Sequence, residues 1–132
     1  MIAEVLRGDV APDPSLPRHV GFAKGSSVLD AGNQSVIAEA VAFLKTEPGE
    51  PLVAIEGHAT PDEGSPAVVA ELAKARAEAV RKSFVALGVA AARLRTAAYA
   101  AERPALPNDA ETARAFNRRV ELRLCAPEQP CP

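Results

Sequence analysis

Arg76 stands where a helical pattern places a hydrophobic side chain. Counting from Val69, the residues Leu72, Ala73, Val80 and Phe84 recur within about 60° of one helical face, and Arg76 lies about 20° from its centre. Glu71, Lys74, Glu78, Arg81 and Lys82 take the opposite arc. A guanidinium so placed must snorkel to water, pair with an internal carboxylate or carbonyl, or hold an anion from outside. The loop before this helix, GHATPDEG, carries Asp62 and Glu63. A loop carboxylate with Arg76 would make a dipolar clamp that reads a free amino-acid terminus, the carboxylate taking its ammonium and the guanidinium its carboxylate. The same two acids serve equally as solvated turn residues near a helix N-terminus, where negative charge is favoured. About ten helical residues, or roughly 15 Å, separate Ser65 from Arg76. The clamp therefore requires the loop to fold back along the helix, or the helix to start later than Ser65.

Other reactive side chains are sparse. His58 has no nucleophile or second histidine near it, so it reads as a hydrogen-bonded histidine at a strand end. A hydrolase built on His58 with Ser65 or Asp62 would lack an orienting group and an oxyanion hole, so no enzyme is expected. Tyr99 reads as packing or surface. Cys125 and Cys131, in the tail CAPEQPCP, are the only cysteines. They fit a small disulfide ring or two free thiols, and spacing leaves both open. No metal site or cofactor is expected, since the other soft ligands are two distant histidines.

The elements that must position these groups follow from periodicity and punctuation. Residues 1–17, with three prolines, read as a linker or loose arm. HVGF is a short first strand. Asp30 caps a helix through Val36, Ile37, Ala40, Val41 and Leu44 that ends at Pro48 and Gly49. LVAIEGH, residues 52–58, is a β-branched strand. Ser65 followed by Pro66 is an N-cap with proline at the first helical position, and that helix runs to about Leu87 with Gly88 as its stop. RLRTAAYA is a third strand. Asp109 caps a short helix to about Phe116. NRRVELRL closes the fold, with Val120, Leu122 and Leu124 on one face and Arg119, Glu121 and Arg123 on a solvated one. The order β-α-β-α-β-(α)-β predicts an α/β, or α+β, two-layer sandwich with helices on one face of a small mixed sheet. The domain spans residues 18–124, followed by a Cys/Pro tail at 125–132. No internal repeat is visible.

Composition narrows the partners. The chain has 132 residues and 13.7 kDa, one domain's worth. It is 48% hydrophobic, but 28 of those residues are alanine, which suits helix-rich packing. A net charge of -2 argues against nucleic acid. The C-terminal third is locally basic, which reads as a solvated face. No run approaches the roughly 20 apolar residues of a membrane span. MIAEVLRGDVAPDPSLP shows no secretion signal, as would also hold for a piece of a longer precursor.

Three segments together carry a resemblance: IEGHATPDEG through LAKARAEAV, RLRTAAYAAERP, and NRRVEL. From about Phe22 to Leu124 they resemble the OmpA C-terminal-like domain, the peptidoglycan-binding module also found in Pal lipoproteins and MotB stators. The resemblance implies the sandwich reached above and non-covalent anchoring of an envelope protein to the cell wall. It implies that Arg76, in LAKARA, and a loop aspartate, best matched by Asp62, grip the diaminopimelate of the stem peptide. Thr60 would add hydroxyl or backbone contacts. Asn117 and Arg118 match the family's NRR, and either lie near the site or fix the start of the last strand. Two departures stand out. The family usually reads GHTDxxG, one residue shorter between glycines, and commonly has asparagine where this chain has Val69. A degenerate member acting as a structural or protein-interaction module is the alternative. The resemblance places the protein in the periplasm or at the outer membrane, where a Cys125–Cys131 disulfide could persist.

Overall fold

The computed structural model describes residues 16–132; the arm expected at 1–17 lies outside them except for its last two residues. Of these, Leu16 is buried within the core. Four strands, β1 (His19–Gly21), β2 (Val53–Gly57), β3 (Leu94–Ala98) and β4 (Arg119–Leu124), form one mixed sheet in the order β1-β4-β2-β3. β2 pairs with β3 in parallel and with β4 antiparallel, and β1 pairs antiparallel with β4. Three helices complete the α/β fold: α1 (Ala31–Thr46), α2 (Pro66–Ala86) and α3 (Glu111–Asn117).

The core lies where α1 and α2 cover one face of the sheet. Val53 and Ile55 of β2, Val120 and Leu122 of β4 and Val20 of β1 meet Ile37, Ala40 and Leu44 of α1 and Ala77, Val80 and Phe84 of α2. Each large side chain removed from water here contributes roughly 1.5–3 kcal/mol. α2 approaches β2 so closely that a Cβ on Gly57 would collide with the Ala73 carbonyl oxygen, so this position admits only glycine. Asp30 and Ser65 cap α1 and α2 as expected, accepting from Asn33 N–H at 2.8 Å and Val68 N–H at 3.3 Å.

Two expectations need correction. α3 begins at Glu111 with Ala110 at its N-cap, and Asp109 provides no cap; the side chains that tie its start down are described below. The outer face of β4 is also less solvated than its alternation predicts. Arg119 is buried, donating to Glu121 at 2.6 Å and to the carbonyls of Asn117 and Arg103, each at 3.3 Å. The tail is closed by a Cys125–Cys131 disulfide. No helix among the described residues is long and apolar enough to cross a membrane.

Candidate functional site

GHATPDEG and the Ser65–Pro66 pair that follows it hold two helix starts in series. Thr60 and Pro61 open a one-turn 3-10 helix over Pro61–Glu63, and Ser65 and Pro66 open α2. Each proline sits where a missing N–H costs nothing and its fixed φ suits a helix. Gly64, at φ 153°, links them. A Cβ there would press on Val68 Cγ1 at 2.7 Å. The loop thus folds back along α2, as the distance argument requires.

The carboxylate that this fold-back delivers to Arg76 belongs to Glu63, not to Asp62. Arg76 Nη1 donates to Glu63 Oε1 at 3.0 Å, and Nη2 pairs with Glu63 Oε2. The remaining donors reach three carbonyls: Nε to Ser26 at 2.9 Å, Nη1 to His58 at 3.0 Å and Nη2 to Ala23 at 3.2 Å. All five guanidinium N–H groups are therefore consumed inside the protein. Both side chains of the pair are 0% exposed. Glu63 is no solvated turn residue: it also accepts from the backbone N–H groups of Thr60 at 2.9 Å and Gly25 at 2.8 Å. Burial alone would push its carboxyl up, but Arg76 and these two amides hold it below the usual carboxylate range.

Asp62 points elsewhere. Its Oδ1 accepts from the Thr60 hydroxyl at 2.6 Å, and its Oδ2 lies 3.0 Å from Arg118, 3.4 Å from Lys24 and 3.5 Å from Arg114. Its side chain is 30% exposed. The Thr60 hydrogen bond, helped by Lys24 and Arg118, brings its pKa down to about 2, so it is a permanent anion facing solvent. Arg118 is nearly buried, and its fork is held by Glu111 at 2.8 and 3.1 Å. This pair holds Glu111 below the usual carboxylate range and raises Arg118 further.

The other expected site residues divide cleanly. Thr60 is fully buried and acts by orienting Asp62 and Glu63. Asn117 is buried and its amide is spent on the preceding loop: Oδ1 accepts from Ala105 and Leu106 N–H, and Nδ2 donates to Leu106 O and Asn108 Oδ1. It fixes the start of β4. Arg118, its neighbour, belongs to the charged corner with Asp62. Val69 is buried against Ala59 and Ala73 and adds no polar contact. His58 is buried at the strand end beside Tyr99, but neither ring nitrogen has a hydrogen-bond partner among the described residues, contrary to expectation. Tyr99 packs as expected, with the Arg103 guanidinium 3.8 Å above its ring. Glu111 and Arg114 escaped the sequence reading because the short helix that brings them to Asp62 has no strong periodicity; only their i, i+3 spacing, with Arg118 four residues further on, hints at a charged cluster.

The OmpA family model matches residues 21–118. The peptidoglycan-associated lipoprotein of Burkholderia pseudomallei is similar at 29% identity and a TM-score of 0.76, over 85% of this chain and 96% of that one. The periplasmic domain of Helicobacter pylori MotB matches at 23% identity and a TM-score of 0.69, over 80% and 69% of the two chains. The OmpA-like domain of FopA1 from Francisella tularensis matches at 22% identity and 0.68, over 80% and 71%. A search of curated proteins gave no match.

Proposed function

From the premise that the chain belongs to the OmpA family, whose domains are non-catalytic, we propose that it binds the diaminopimelate-containing stem peptide of peptidoglycan and anchors an envelope protein to the cell wall. The observation that carries this reading is the Asp62 carboxylate, ionised, open to solvent and set 3.0 Å from Arg118 at the end of the sheet. Such a corner offers an anion for the ligand's ammonium beside a cation for its carboxylate. The similarity to a peptidoglycan-associated lipoprotein and to a periplasmic domain supports a place in the periplasm or at the outer membrane.

Co-sedimentation with diaminopimelate-type sacculi tests the proposal. Asp62→Asn keeps the size of the side chain and removes its charge, and it should weaken binding about tenfold, since the ligand's ammonium then meets a neutral amide in place of a carboxylate. Equal sedimentation of the folded variant and the wild type would reject Asp62 as the contact. A second reading, a structural or protein-interaction module, is favoured by one observation: Arg76 has no donor left for a ligand. It predicts that the wild type itself stays in the supernatant.

A further inference from the structure

Two apolar clusters lie inside the described residues, and they differ in how firmly they hold the chain. The main core unites both long helices with the sheet. The second contains only Ala59, Val69 and Ala73, with Ala100 and Ala101 packed on them. Four alanines and a valine bury little apolar surface, so the segment Tyr99–Arg103, a strap along the end of β2, belongs to the weakly held part of the fold. Its other ties are Tyr99 N–H to Gly57 O at 3.0 Å, Ala59 N–H to Ala100 O at 2.8 Å and Arg119 Nη2 to Arg103 O at 3.3 Å. Ala100 sits at a left-handed φ of 51°, a conformation that works against any residue with a side chain. Against this strap lies His58, 4% exposed, with both ring nitrogens unpartnered among the described residues.

The groups around His58 offer no acceptor to an imidazolium. From β4 come Arg119, whose carbonyl takes the His58 N–H at 2.8 Å, and Glu121. From the strap come the Tyr99 ring, 5.5 Å away, and Arg103, stacked on that ring. Glu56 shares the outer face of β2, His19 of β1 stands opposite Glu121, and Arg76 of α2 occupies the His58 carbonyl. Both carboxylates are already engaged: Glu121 accepts from Arg119 at 2.6 Å, and Glu56 from Arg123 at 3.3 Å and the Tyr99 hydroxyl at 3.4 Å. A proton on His58 therefore adds a third positive charge beside Arg119 and Arg103 in a water-poor site. We infer that His58 is an acid-operated latch: once protonated, it releases the strap Tyr99–Arg103 from the end of β2 while the main core stays folded, and the loop GHATPDEG loosens with it. The link to the loop is Ala59, which loses the Ala100 carbonyl, together with the His58 carbonyl that steadies Arg76. Asp62 then loses its fixed place beside Arg118, and mild acid frees the ligand; that consequence rests on the stem-peptide reading above.

Amide hydrogen exchange and tyrosine emission of the full chain, from pH 7 down to pH 4, test the latch. Tyr99 is the only tyrosine and there is no tryptophan, so the emission reports on the strap alone. His58 titrates near 4 when enclosed and at the ordinary 6.5 when released, so the open fraction should rise about twentyfold between pH 7 and pH 5. The amides of Ala59 and Tyr99 should be less protected than those of Ala77 and Val80 in α2 at every pH, and should lose protection by that factor. Emission should change on acidification before far-UV circular dichroism does. His58→Gln and His58→Phe cannot take up the proton, and in both the acid-dependent loss of strap protection should vanish. At pH 4 the wild type should lose severalfold more affinity for diaminopimelate-type sacculi than His58→Gln, which controls for titration of the sacculi themselves. Equal protection of the strap and of α2 would show that the strap has no opening of its own, and a loss that persists in both variants would place the proton elsewhere; either result overturns the latch. A strap that opens while wild type and His58→Gln keep equal affinity overturns the release of ligand and leaves the stem-peptide reading standing. A wild type that stays in the supernatant even at pH 7 removes that reading and the release with it, while exchange and emission still decide the latch.

Discussion

A buried arginine with all its donors matched is a structural device before it is anything else. Arg76 ties the segment after β1, through Ala23 and Ser26, to the end of β2 at His58 and to the loop at Glu63. Arg76→Ala would strand the Glu63 carboxylate and three carbonyls, and the variant should lose about 3–5 kcal/mol in urea unfolding. A folded, fully stable Arg76→Ala that fails to bind sacculi would instead restore Arg76 as a ligand contact. His58 supplies the pH dependence at this scale. Desolvation, followed by Arg119, lowers its pKa to about 4 from 6.5. Between pH 6.5 and 4 the unfolded chain takes up a proton that the folded chain refuses. Stability is therefore full above pH 6.5 and falls as pH drops through that window, by up to about 3 kcal/mol. Unfolding free energies from urea titrations at pH 7 and pH 5 should differ by about 2 kcal/mol in the wild type, and His58→Phe should flatten this slope. A variant with the same slope would place the proton uptake on another group.

At the scale of elements, what was legible depended on whether the determinants were local. α1 and α2 were readable to within a residue or two because caps, prolines and a stop glycine are written beside the helices they punctuate, as at Asp30, Ser65, Pro66 and Gly88. The start of α3 was not, since Arg118 and Arg114 on Glu111 hold it in place of a capping side chain, a contact no local pattern announces. The loop shows the same division. Its acids and its need to fold back were visible, but which acid turns inward is decided by the 3-10 turn. Glu63, three residues after the Thr60 cap, reaches the Thr60 N–H from the buried side, and this reach leaves Asp62 outside. The extra residue between the two glycines accommodates both acids. One neutralises Arg76, and the other joins Arg118, Arg114 and Lys24 at the half-exposed corner.

Across the described residues, the disulfide and the charged corner sit at opposite ends of the sheet. The charged corner lies where β2 ends and β4 begins; the disulfide lies where β4 ends, beside Leu52, whose carbonyl accepts from Cys125 N–H at 2.8 Å. A five-residue strand at about 3.3 Å per residue puts roughly 17 Å between them. The ring is further held by Arg123, which donates to Gln129 O at 2.9 Å and Pro130 O at 3.0 Å while facing Glu56. Spacing left the state of the two cysteines open because a ring of this size closes only if the chain between them reverses. Here the Ala126–Gln129 bridge makes that reversal. Closing so short a loop limits the unfolded chain modestly, so the double substitution Cys125→Ser with Cys131→Ser should lower unfolding free energy by about 2 kcal/mol. Its affinity for sacculi should stay at the wild-type value, since no contact of the tail reaches Asp62 or Arg118 among the described residues. Urea unfolding and co-sedimentation of the same preparation measure both quantities. Stability lost with binding intact would confirm that the two ends act independently, whereas a matching fall in affinity would mean that strain at the tail passes along β4 to Arg118.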